Sequence, residues 1–115
     1  MDKINKIIEE RPWGRFEQFT LNEKSTVKIL TIDAGEAFSL QNHQHRTEFW
    51  HVLEGKAKIT VGSGTVNAEP GDEFLIQPGI NHRIEGISKI KVLEIAFGDF
   101  DEADIHRLED KYNRA

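Results

Sequence analysis

Gln41, His43 and His45 alternate along one short stretch, Glu48 follows three residues later, and His82 arrives after the turn at Pro78-Gly79. Alternate side chains of a β-strand point to the same side, so this spacing predicts Gln41, His43 and His45 on one face. Two imidazoles, a carboxylate and one further donor suit a first-row divalent ion, with a position left for water or substrate. A mixed N/O set without thiolate admits Zn²⁺, Mn²⁺, Fe²⁺, Co²⁺ or Ni²⁺.

Holding such residues together requires strands, and the pattern from residue 16 to 97 is that of a β protein: short runs rich in Val, Ile and Thr, punctuated by Gly, Asn, Pro and charged turns. Strands are predicted over 25–32, 37–44, 49–53, 56–61, 65–68, 73–76, 82–85 and 89–97. In 56–61 the alternation puts Ala57, Ile59 and Val61 inward, and Gly62-Ser63-Gly64 turns that strand into the next. The last long strand is apolar on both faces, as where one side meets a second sheet or subunit. Ile4, Ile7 and Ile8 at helical spacing predict a short N-terminal helix over 2–9, and Ile105 and Leu108 one over 101–112. Trp13, between Pro12 and Gly14, is expected to plug the barrel or an interface. Many short strands at this spacing imply an all-β sandwich or barrel, not a doubly wound fold.

The 115 residues are read as one domain, 1–115, large enough to bury a core. There is no cysteine, which excludes disulfides, thiolate zinc sites and cysteine nucleophiles. A net charge of −5 with scattered basic residues excludes nucleic acid as an expected partner. No stretch has the length and apolarity of a membrane span or signal peptide, so a cytoplasmic protein without membrane contact is expected.

The motif spacing is similar to that of the cupins, jelly-roll barrels also called double-stranded β-helices. Gly35, five residues, Gln41-Asn42-His43, four residues, Glu48, six residues and Gly55 resemble the first cupin motif, with Gln41 at its first His. Gly71, five residues, Gln77-Pro78-Gly79, two residues and His82 resemble the second, with Gln77 for a proline and Gly86 where the motif has asparagine. Three stretches resemble, more narrowly, the cupin domain of type II mannose-6-phosphate isomerases: Arg11-Pro12-Trp13-Gly14, residues 39–50, and the closing segment 104–112. In that family the cupin is commonly fused behind a mannose-1-phosphate guanylyltransferase domain, which this sequence does not contain, so a free-standing cupin is expected.

The resemblance implies a metal-dependent sugar-phosphate isomerase interconverting mannose 6-phosphate and fructose 6-phosphate. It leaves two ligand sets. Register measured from Gly35 and Gly55 favours Gln41 and His43, with Glu48 and His82. Donor chemistry favours His43 and His45. Residues four apart on a strand lie about 13 Å apart, so Gln41 and His45 do not share one ion without a bend. The first set is favoured, and type I phosphomannose isomerases resemble it in using a Gln, a Glu and two His for zinc. His45 then becomes the expected proton-transfer base. Arg46 and Arg83 become the expected phosphate clamp, because guanidinium binds phosphate oxygens bidentately, and Arg46 is placed with His45 in the catalytic group. Likeness to other cupins also implies a homodimer. The alternatives are another cupin metalloenzyme, such as a dioxygenase or a different sugar isomerase, or a non-catalytic sugar- or metal-binding module.

Overall fold

The computed structural model describes residues 4 and 6–109. Among them are eleven strands and no helix. β1 (Ile7–Arg11) and β2 (Gly14–Gln18) form a hairpin of their own. The remaining strands are β3 (Ser25–Ile32), β4 (Leu40–Asn42), β5 (Glu48–Glu54), β6 (Ala57–Val61), β7 (Gly64–Ala68), β8 (Glu73–Ile76), β9 (His82–Gly86), β10 (Ile90–Phe97) and β11 (His106–Glu109). They make two antiparallel sheets, ordered β3-β10-β5-β8 and β11-β4-β9-β6-β7. From β3 onward the chain passes back and forth between the sheets, only the β6–β7 hairpin staying within one. This is the double-stranded β-helix expected from the motifs.

Alternation explains the core. Val92 on β10, Trp50 and Val52 on β5, and Phe74 and Ile76 on β8 point inward, and meet Ala57, Ile59, Ala68 and Ile84 of the facing sheet. Trp50 is fully buried, and truncating such a ring to alanine costs about 3–5 kcal/mol. The intervening residues Phe49, Leu75 and Ile95 form a second cluster on the outer face, against Ile4, Phe19 and Phe97. Both faces of β10 are therefore used: one by the opposite sheet, the other by the N-terminal segment.

Two glycines are required by close backbone approach. At Gly55 (φ 83°) a Cβ would lie 2.1 Å from the Lys89 carbonyl oxygen. At Gly86 it would lie 2.6 Å from the Asp33 carbonyl oxygen. Gly86 also accepts the Gly35 N–H at 2.8 Å and donates to Glu36 O at 2.9 Å, so a side chain in place of this glycine, the motif's asparagine included, would meet the 33–36 backbone.

The two terminal helices are not formed. Residues 7–11 pair with β2 instead, leaving Ile7 and Ile8 43% and 47% exposed, so their helical spacing buries no stripe. A helix of about eight residues is marginal without such burial; residues 2, 3 and 5 of the expected helix lie outside the described residues. At the other end, 106–109 is a strand on the edge of β4, after turns in which Asp104 N–H bonds to Asp101 O and Ile105 N–H to Ala103 O. The rest of that expected helix, from 110, lies outside the described residues. Trp13 sits at the tip of the β1–β2 hairpin, 73% exposed, and does not plug the barrel. The expected strand over 37–44 is shorter, confined to Leu40–Asn42 with an isolated bridge from Ala37 to Glu85.

Candidate metal centre

The end of β4 decides the geometry. Beyond Asn42 the backbone donors are taken out of the ladder: Gln44 N–H and His45 N–H both donate to the Asp104 carboxylate, each at 2.9 Å. Gly79 N–H donates to His43 O at 2.6 Å. Strand alternation therefore stops, and with it the expected common face of Gln41, His43 and His45. His43 turns into the molecule, 5% exposed, while His45 is exposed and does not line the cavity that receives the others. The same irregular path buries Arg46.

Gln41 comes to the site by a different route. It is the cross-strand partner of His82 in the antiparallel β4–β9 pair, so the two side chains share a face, and both line the cavity. Glu48 enters from β5 in the opposite sheet, 2% exposed. The site is thus assembled across the barrel, in a cavity of about 160 Å³.

His43, Glu48 and His82 place their ligand atoms within 4.8 Å of one another. His43 Nδ1 donates to Asp104 O at 2.6 Å and His82 Nδ1 donates to Ile80 O at 2.9 Å. Each bond fixes the tautomer and leaves an Nε2 lone pair directed inward. His43 Nε2 lies 3.6 Å from Glu48 Oε2, and His82 Nε2 lies 3.7 Å from Glu48 Oε1. Ligands about 2.1 Å from a tetrahedral ion stand roughly 3.4 Å apart. The donor set and its spacing therefore fit a divalent metal. Burial holds the His82 pKa below the ordinary imidazole value, opposed by its bond to Ile80 O and by Glu48, which favours the neutral, ligating form.

In this structure the cation nearest these groups is Arg46. Its Nε donates to Glu48 Oε2 at 2.8 Å, its Nη2 to His43 Nε2 at 3.2 Å and its Nη1 to Asp101 O at 3.1 Å. Its guanidinium also lies 4.4 Å from the centre of the Phe100 ring, which carries Lys28 Nζ at 4.2 Å. Lys28 in turn pairs with Glu102 at 3.4 Å. The segment between β10 and β11 therefore covers the cavity: Phe100, Glu102 and Ile105 line it, and Asp101 and Asp104 anchor it to the ligand loop.

Arg83 is not brought to the site. It follows His82 on β9 and by alternation points the other way, its Nε donating to Phe38 O at 3.2 Å and its Nη2 to Glu109 O at 3.4 Å. Among the cavity residues that escaped the sequence reading are two charged groups on adjacent strands. Lys28 and Glu94 are paired across β3 and β10, both facing inward. Glu94 is 8% exposed, and Trp50 Nε1 donates to its Oε2 at 3.2 Å. Burial, reinforced by the Glu48 carboxylate, pushes its pKa up to about 7. A signal for it was present: an acid in phase with Val92 and Ala96 on a strand otherwise apolar on that face.

The family described as mannose-6-phosphate isomerase C-terminal matches residues 3–110. This chain belongs to that family. Among its relatives, mannose-1-phosphate guanylyltransferase 2 of Escherichia coli O157:H7 is 36% identical over 105 residues, covering 89% of this chain and 22% of that protein. The xanthan biosynthesis protein XanB of Xanthomonas campestris pv. campestris strain B100 is 34% identical over 107 residues, covering 90% of this chain and 23% of XanB. The chain thus spans little more than a fifth of the length of these relatives. Solved structures share the fold: a Klebsiella pneumoniae protein with a double-stranded β-helix domain has a TM-score of 0.64 at 22% identity, over 78% of both chains. The nucleoside dehydratase Pac13 has a TM-score of 0.67 at 14% identity, over 91% of this chain and 86% of its own.

Proposed function

We propose that this chain is a metal-dependent sugar-phosphate isomerase interconverting mannose 6-phosphate and fructose 6-phosphate. The observation that carries the reading is the convergence of His43, Glu48 and His82, with Gln41 beside them, in a buried cavity of a chain of this family. Gln41, His43, Glu48 and His82 would hold one divalent ion, with zinc the best fit because the reaction needs no redox change. The bound ion would supply a Lewis acid that stabilises negative charge developing on the sugar oxygens.

The chain's own residues then have separable tasks. Ile80 O and Asp104 O hold the two imidazoles in their ligating tautomer. Phe100 and Ile105 exclude water from the covered side. Arg46 balances the buried Glu48 charge and, together with Lys28, presents cationic groups to a substrate anion. Small-molecule pockets are commonly about 300 Å³ or more, so only the reacting end of a hexose phosphate fits inside the cavity. The phosphate then stays towards the mouth, where Lys28 is 39% exposed. Arg83 drops out of the clamp, because backbone carbonyls on the far side of β9 occupy it. The exposed His45 is displaced as the base.

The reading is tested by assaying the purified protein, loaded in turn with Zn²⁺, Mn²⁺, Fe²⁺, Co²⁺ and Ni²⁺, for conversion of mannose 6-phosphate by a coupled assay. Turnover with any of them supports it; none with all five refutes it. A second reading is favoured by the guanylyltransferase names of the relatives: a sugar-phosphate-binding module that serves such an enzyme, which predicts saturable binding without turnover. We also propose a cytoplasmic homodimer formed through the outer face of the β3-β10-β5-β8 sheet, where Val27 and Ile29 are 57% and 60% exposed. Among the described residues no helix is long and apolar enough to cross a membrane.

A further inference from the structure

We propose that Glu94 is the catalytic residue that carries the proton between C2 and C1 of the sugar, an assignment that rests on the isomerase reading above. Elimination within the cavity leads to it. Of the titratable groups lining it, His43, Glu48 and His82 are the ligand set, Arg46 and Lys28 are cations, and Glu102 is 83% exposed and paired with Lys28. Glu94 remains, a carboxyl group that neither neutralises a cation nor joins the ligand cluster.

Its setting is that of a fixed proton carrier. Lys28, Glu94 and Trp50 form one inward-facing row across β3, β10 and β5. The Trp50 indole N–H holds one oxygen of the carboxyl, and Trp50 itself is fully buried against the core. The cavity's cations are engaged elsewhere, Arg46 with Glu48 and Lys28 with Glu102, so no ion pair fixes Glu94 in its charged form. A carboxyl buried without such a partner is costly to ionise. Burial raises its affinity for a proton, and the Trp50 hydrogen bond holds the carboxyl in one place on the cavity wall, as a positioned acid–base group requires.

The step balances without a co-reactant. From the aldose, the Glu94 carboxylate removes the C2 proton, the C2–H electron pair becomes the C1–C2 double bond, and the carbonyl oxygen on C1 gains a proton, giving an enediol. Glu94 then returns its proton to C1 while the O2–H proton leaves and the C2 carbonyl forms. The net movement is one proton from C2 to C1 and one from O2 to O1.

The test compares the full-length metal-loaded protein with Glu94→Gln and Glu94→Asp. The glutamine variant should keep its metal content and its affinity for mannitol 6-phosphate, a carbonyl-free probe that cannot isomerise. Its kcat should fall about 10²–10⁴-fold, the usual contribution of a positioned acid–base group, and deuterium wash-in from D₂O into the sugar should fall with it. The aspartate variant should recover part of the loss. The infrared carbonyl band of a protonated carboxyl group in the metal-free protein should disappear in Glu94→Gln. If Glu94→Gln turns over within tenfold of the unaltered protein, Glu94 is overturned and the isomerase reading stands. If the unaltered protein fails to isomerise with any of the five metals, both fall together.

Discussion

Replacing Glu94 by glutamine in the metal-free protein should change how stability depends on pH, whatever the protein's activity. The folded protein holds the Glu94 proton until about pH 7, whereas an unfolded chain releases it near 4.5. Between those values the folded state binds more protons, so this carboxyl's contribution to stability is complete below pH 4.5 and is lost as pH rises through 7. At about 1.4 kcal/mol per pH unit the interval is worth roughly 3 kcal/mol. Glutamine has the same shape, still accepts the Trp50 indole N–H, and has no charge to bury. Glu94→Gln should therefore gain about 3 kcal/mol on the unaltered protein between pH 4.5 and 8. With a urea dependence of about 2 kcal/mol per molar, the relative midpoint moves by roughly 1.5 M. His82 acts in the opposite sense, its depressed pKa removing stability as pH falls below the usual imidazole range. That term is present in both proteins and cancels in the difference. Urea titrations in the presence of a chelator at pH 5, 6, 7 and 8 give the comparison. A difference that stays constant within about 0.5 kcal/mol across the series would refute the claim that Glu94 is buried and protonated.

Three further outcomes follow from the ligand geometry. His82→Ala and Glu48→Gln should each weaken zinc binding by more than the roughly 10–100-fold that losing a supporting residue costs, read by competition with a chromogenic chelator. Arg46→Met leaves the Glu48 charge buried without its guanidinium, so the metal-free protein should lose about 3–5 kcal/mol and regain most of it with zinc; an equal loss with and without zinc would count against the placement of Arg46. Asp104→Ala removes the carboxylate that holds Gln44 N–H and His45 N–H and should lower zinc affinity about 10–100-fold, whereas His45→Ala, on an exposed side chain, should alter zinc affinity by no more than about twofold.

The glycine spacing and strand punctuation were enough to specify an all-β barrel, the β6–β7 hairpin at Gly62-Ser63, and the inward set Ala57, Ile59 and Val61. These are local properties: turn chemistry and period-two burial act over a few residues, and nothing distant overrides them. The cluster of His43, Glu48 and His82 was legible because motif spacing sets Glu48 and His82 at the starts of β5 and β9 and His43 just past the end of β4. The ends were not legible. Helical spacing of Ile4, Ile7 and Ile8 says which residues would share a face, but not whether a neighbouring strand offers hydrogen bonds instead, and β2 and β4 did. Nor could alternation foresee its own interruption after Asn42, since the carboxylate that captures the backbone there is 60 residues away at Asp104. The orientation of His45, the burial of Arg46 beside Glu48, and the juxtaposition of Lys28, Glu94 and Trp50 are consequences of packing two sheets and one covering loop. They exist only once segments far apart in the chain have met, so the sequence named the residues of the cluster and the tertiary structure decided what surrounds them.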